Sequence, residues 1–211
     1  NKTGSNNVAV GLGALFSNTT GNKNVAIGDS SLYQSTTVSG NTAVGSKALY
    51  SNTTGFANTA NGYMSLYSNT TGYQNNGFGY RTLYSNTTGN LNNAFGSYTL
   101  SFNTTGTGNS GFGNSVLYQN TTGTSNSAFG RNAMPNNTTG SYNVGIGAFS
   151  LASNTIGNSN VAIGDSTLYK STSSYNIAVG SKALYSNTTG YANTANGYMS
   201  LYSNTTGVQN N

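Results

Sequence analysis

Apolar residues recur along this chain with a fixed phase of 17 residues, and that phase holds from end to end. The shared phrase is N-x-A-h-G-x-x-x-L-Y-S-N-T-T-G-x-x, where h is apolar. Units start at Asn7, Asn24, Asn41, Asn58, Asn75, Asn92, Asn109, Asn126, Asn143, Asn160, Asn176 and Asn193. The unit from Asn160 is one residue short at its terminal turn. Position 1 is Asn and position 5 is Gly in all twelve units; position 9 is Leu in eleven and Met134 in the other; position 3 is always Ala or Gly. A period this short does not hold a helix pair, and the Gly, Asn and β-branched content disfavours helix in any case. The pattern predicts one solenoid turn per unit. "NTAVG" forms a first strand, "KALYS" a second, and "NTTG" a turn in which Gly takes positive φ and Asn bonds its own backbone. The expected fold is all-β, a parallel β-solenoid or β-roll of about twelve 17-residue turns. At a strand spacing of ~4.8 Å it is a rod roughly 55–60 Å long.

Stacking turns assigns each repeat position to a column. Position 9 predicts a buried Leu column: Leu15, Leu32, Leu49, Leu66 and onward to Leu201. Position 4 predicts a second one: Val10, Ile27 and Val44, then Phe78, Phe95, Phe112 and Phe129, then Ile146, Ile163 and Val179. Position 10 lines up Tyr33, Tyr50, Tyr67, Tyr84, Tyr118, Tyr169, Tyr185 and Tyr202. Asn at positions 1 and 12 predicts amide ladders along the axis. Asn61 and Asn196 stand in the position-4 column, where the expectation is a hydrogen-bonded amide. Small side chains at position 3 permit another backbone to approach closely. That column (Ala26, Ala43, Ala60, Gly77, Ala94, Gly111, Ala128) is the expected seam of a parallel homotrimer with identical turns in register.

A longer period overlies the short one. The units from Asn24, Asn41 and Asn58 match those from Asn160, Asn176 and Asn193, an offset of 136 residues or eight units. The chain opens on "NKTGSN" and closes on "VQNN", so residues 1–211 read as a single repeat region within a longer chain.

Composition narrows the chemistry. Charged residues are 4% of the chain, with seven basic and two acidic side chains and no His or Cys. The scattered cations do not form the clustered face that nucleic acid requires. No apolar run reaches the ~20 residues of a membrane span. The acids Asp29 and Asp165 occupy the same repeat position eight units apart, so they do not form a carboxylate pair for acid–base work. Each is expected to face a lysine one turn on, Lys47 or Lys182, as a solvated ion pair. "GLG" at Gly11–Gly13 lacks the helix that a phosphate fingerprint needs. No catalytic, cofactor or metal residues are predicted, and no enzyme activity. Nine units carry the N-x-T sequon: Asn18, Asn52, Asn69, Asn86, Asn103, Asn120, Asn137, Asn187 and Asn204. Adjacent copies would hold glycans ~5 Å apart, too close for sugars on successive turns, so these read as turn residues. Paired Thr columns such as Thr53-Thr54 and Thr70-Thr71 raise the alternative of an ice- or carbohydrate-binding Thr/Asn face.

"NVAIGD" (Asn24–Asp29, Asn160–Asp165), "NVAVG" and "NTAVGS" resemble the head repeats of the YadA-like trimeric autotransporter adhesins. With the "LYSNTTG" spacer they also look like repeat shafts of bacterial surface fibres and phage tail fibres. The resemblance implies a left-handed parallel β-roll, three chains to a fibre, and an adhesive surface without catalytic residues. The period differs, 17 here against about 14 in that family. The function expected is a structural, non-enzymatic shaft of an extracellular or cell-surface fibre, adhesive, or alternatively a virion tail-fibre shaft. Expected partners are further copies of the chain and a surface glycan or host receptor.

Overall fold

The computed structural model describes residues 2–211. Twelve strands of three residues each follow in order: β1 Val8–Val10, β2 Val25–Ile27, β3 Thr42–Val44, β4 Thr59–Asn61, β5 Asn76–Phe78, β6 Asn93–Phe95, β7 Ser110–Phe112, β8 Ser127–Phe129, β9 Val144–Ile146, β10 Val161–Ile163, β11 Ile177–Val179 and β12 Thr194–Asn196. They make one parallel sheet in sequence order, so each strand pairs only with its own copies before and after. Register follows the repeat: Val8 lies opposite Val25 and Val25 opposite Thr42. The short unit is absorbed without slippage, since Val161 still pairs with Ile177. The fold is therefore an all-β parallel β-solenoid, one 17-residue unit to a turn, and the described residues form no helix.

The second strand does not form. "KALYS" runs instead as a chain of tight turns in which positions 7 and 9 are left-handed: Lys47 has φ 57° and Leu49 φ 51°. Position 17 is left-handed as well, as at Ala57 and Gln74. Alternating hands coil the backbone and shorten its reach, which lets so short a unit close on itself. The turns still bond to their copies. The Leu49 N–H donates to the Ser65 carbonyl at 3.0 Å, the Ser51 N–H to Tyr67 at 3.1 Å, and the Lys47 N–H back to Asp29 at 2.8 Å. Backbone groups are thus satisfied between turns even where no strand exists.

The interior also differs from the expected one at two positions. The position-9 residues from Leu32 to Leu184 are fully buried, as predicted, while Leu201 in the last turn is partly buried. Position 4, however, faces outward, with Val10 57% and Phe129 40% exposed, while position 3 faces inward, with Ala43, Ala60 and Ala94 at 0%. Alternation along a strand allows only one parity inside, and the space available selects the smaller residue. A Cβ built on Gly111 would lie 2.6 Å from Thr99 Cγ2 and 3.3 Å from Val116 Cγ1, the position-8 side chains that fill the same layer. The Ala/Gly column is consequently this chain's own core, and it is not a seam for another chain. Asn61 and Asn196 are exposed on the outer face rather than buried in a column.

Two polar columns complete the core. In the position-12 ladder, Asn69 Nδ2 donates to Asn52 Oδ1 at 2.8 Å, and Asn86 Nδ2 to Asn69 Oδ1 at 2.8 Å. In the position-1 ladder, the Asn58 N–H donates to Asn41 Oδ1 at 2.9 Å and the Asn75 N–H to Asn58 Oδ1 at 3.0 Å. Both columns meet on the position-15 carbonyl of their own turn: Gly55 O accepts from Asn52 Nδ2 at 2.8 Å and from Asn41 Nδ2 at 3.0 Å. This strut ties the start of each turn to its end. A buried carboxamide is tolerated because its donors and acceptors are engaged.

Candidate functional faces

With positions 1, 3, 8, 9, 12 and 15 inside, the outside divides into strips running parallel to the axis. The strand face presents positions 2 and 4. Val8, Val10, Ile27, Phe112, Phe129, Ile146, Ile163, Ile177 and Val179 are all at least a third exposed there. Phe78, Phe95, Phe112 and Phe129 stack face to face with ring centroids 4.8 Å apart and planes within 6°. No charged residue occurs at either position in any unit. Of the two, position 4 is the one whose hydrophobicity places it inside by expectation. It is instead an exposed, mostly apolar column along the outer face.

The Tyr column lies around the corner. Tyr33, Tyr50, Tyr67 and Tyr84 stack at 5.2–5.3 Å, with Phe16 adding a ring at 5.0 Å. Tyr169, Tyr185 and Tyr202 repeat the arrangement at 5.1–5.2 Å. Tyr118 does not join either stack; its ring contacts are edge-on.

Between these strips, positions 6 and 7 collect most of the charge: Asp29, Lys47, Arg81, Arg131, Asp165 and Lys182. Among the described residues no side-chain ion pair joins Asp29 to Lys47 or Asp165 to Lys182; each pair meets through the backbone, the lysine N–H donating to the aspartate carbonyl. The Arg81 guanidinium lies 5.1 Å from the Tyr84 ring centre and 5.6 Å from that of Tyr80. Desolvation pushes the nearby Tyr98 phenol up, and its hydrogen bond with Tyr80 adds to the rise.

The sequon asparagines turn inward. Asn52, Asn69, Asn86, Asn103, Asn120, Asn137 and Asn187 are 0% exposed. The amide nitrogen a glycan would need already donates twice in Asn69, to Asn52 Oδ1 and to the Gly72 carbonyl. Their Thr neighbours form the turn strip, and the first of each pair is committed as well: Thr53 Oγ1 donates to the Thr70 carbonyl at 3.0 Å, and Thr87 Oγ1 to Thr104 at 3.0 Å. That column faces a curved turn with its hydroxyl protons used, which is a poor template for a flat Thr array.

Asp29 and Asp165 sit on exposed turns eight units apart, and the described residues hold no group of three or more His, Cys, Asp or Glu positioned for a metal. Among the described residues no helix is long and apolar enough to cross a membrane. No protein-family model matches the chain, and no curated protein matches it.

Proposed function

We propose that this chain is a non-enzymatic shaft segment of an extracellular fibre, with an adhesive role, and that its strand face is where further copies pack. The carrying observation is the strand face itself. It is free of charge over every turn of the rod and carries an apolar residue at position 4 in every turn but those of Asn61 and Asn196, and exposed apolar surface of this kind marks an interaction site. Three parallel copies facing one axis in register would bring Phe95 against Phe95 and Phe112 against Phe112. The face measures roughly 50 Å by 10 Å, about 500 Å². That is short of the ~800 Å² per partner of a standard two-chain interface, and a third copy adds the flanking columns to the contact. The resemblance of "NVAIGD" and "NTAVGS" to adhesin head repeats supports a cell-surface location. A virion shaft is served by the same construction.

Native mass spectrometry of the 211-residue chain tests this. The expected species is a trimer. The double substitution Phe95→Asp with Phe112→Asp places two charges on the face and is expected to give a monomer with its β-type circular dichroism intact. A wild-type monomer would sink the assembly.

A further inference from the structure

Position 10 carries an aromatic ring in nine of twelve units, and the exceptions, Ser101, Pro135 and Ala152, cluster in the middle of the chain. Tyr118 stands between Ser101 and Pro135 and so has no parallel ring on either side. It meets Phe102 edge-on at 5.0 Å and 90°, and Tyr98 at 6.2 Å and 80°. Phe102 is the one ring that position 11 carries in the chain. Where the ladder breaks, a shallow, open cleft of about 460 Å³ lies on the surface, lined by Phe102, Tyr118, Gln119, Thr121 and Thr138.

We propose that this cleft is a binding site for a neutral pyranose sugar. Its volume lies within the ~300–1,000 Å³ of small-molecule sites. Its walls combine two aromatic rings with one carboxamide and two hydroxyls, and no charged side chain lines it. A pyranose offers the matching surfaces, a C–H face for an aromatic ring and hydroxyls around its rim. Within the regular ladder, rings stacked at 5.0–5.3 Å cover one another, whereas the edge-on pair of Phe102 and Tyr118 has no parallel ring covering it. The Gln119 carboxamide both donates and accepts, as a sugar hydroxyl does. The Thr121 and Thr138 hydroxyls donate to the Thr138 and Thr155 carbonyls at 3.0 and 2.9 Å, so they face a ligand as acceptors. The absence of charge in the walls selects a neutral sugar over a uronic or sialic acid.

The site gives chemistry to the adhesive part of the reading above and rests on it for its purpose. The test is saturation-transfer NMR on the 211-residue chain with the methyl glycosides of glucose, galactose and N-acetylglucosamine as probes. At least one probe is expected to receive saturation on its ring protons. Pro135→Tyr sets a ring beside Tyr118 as in the regular ladder, and Gln119→Ala removes the carboxamide. Each is expected to weaken that binding by about tenfold, with the circular dichroism spectrum unchanged. The Phe95→Asp/Phe112→Asp chain should keep its sugar binding, so failure of the assembly and failure of the cleft are separate results. No transfer to any of the three probes, or equal transfer in both cleft variants, overturns the proposal.

Discussion

Single residues here hold conformations that most L-residues avoid. Positions 7, 9 and 17 are left-handed in every unit, and Gly fills them only at Gly13, Gly40 and Gly108. A left-handed non-Gly residue costs roughly 1–2 kcal/mol, and β-branched side chains fit worst there. The sequence obeys this rule: none of the residues at these three positions is Val, Ile or Thr, although all three types are frequent elsewhere. That exclusion was the legible sign that "KALYS" is not a strand, and hydrophobic spacing alone does not reveal it. At the exposed Gln74 (φ 54°), Gln74→Gly is expected to raise the melting temperature and Gln74→Val to lower it. A reversed order in thermal denaturation would argue against the left-handed turn. A second residue-level case lies at the only break in regular Asn–Gly pairing before the short unit. Ser35 and Val38 replace the position-12 Asn and the position-15 Gly, and Ser35 Oγ is buried without a hydrogen-bond partner. Elsewhere a Cβ on that Gly would press on its own turn's Asn, at 2.5 Å between Gly89 and Asn86 Oδ1. Ser35 leaves the room that Val38 takes. Ser35→Asn alone should therefore destabilise by about 1–3 kcal/mol through overpacking. Adding Val38→Gly should restore the ladder and reverse the loss. A double-mutant cycle in urea reads the coupling, and additive effects would refute it.

At the scale of the element, the ladders and the Leu column were readable because every unit shares them. Asn at positions 1 and 12 has no competing explanation once the turns stack, and Leu at position 9 is the largest residue the interior admits. The parity of the strand was not readable from hydrophobicity. With three residues per strand, either position 3 or position 4 satisfies alternation, and position 4 is the more apolar. What decides it is volume, since the layer that Ala94 occupies also contains the position-8 side chain Thr99 and the Leu column. The substitutions at position 4 pointed the same way: it accepts Asn61 and Asn196 beside Phe and Ile, which a dry column would not. Leu83→Asp is expected to cost several kcal/mol, because the charge would lie unpaired between Leu66 and Leu100. Thr88→Asp lies on an exposed turn, where substitutions usually stay within about 0.5 kcal/mol. Asn86→Asp belongs with the severe class. It removes the donor to Asn69 Oδ1 and the Gly89 carbonyl and directs a carboxylate at both oxygens. Chemical denaturation of the three variants gives the ranking, and near-equal losses for Leu83→Asp and Thr88→Asp would invert the inside and outside assigned here.

At the scale of the whole molecule, each turn touches only the turns beside it, since every strand pairs with its immediate neighbours in order. Stability in such a stack is a sum of unit and nearest-neighbour terms, so the same lesion has different consequences at different heights. Ala94 in β6 and Ala195 in β12 hold the same repeat position, exposed at 0% and 1% respectively. An arginine does not fit inside either turn and forces that turn open. In β6 it severs contacts with β5 and β7 and leaves two shorter stacks, each with a newly exposed edge. In β12 it breaks contact with β11 alone. Ala94→Arg is therefore expected to depress the melting temperature strongly and to broaden or split the unfolding transition. Ala195→Arg should leave most of the wild-type transition in place. Differential scanning calorimetry separates the two outcomes. If Ala94 lay on an outer seam, Ala94→Arg would give a folded monomer with an unchanged core transition. Equal damage from both substitutions would mean that the rod melts as one cooperative block rather than turn by turn.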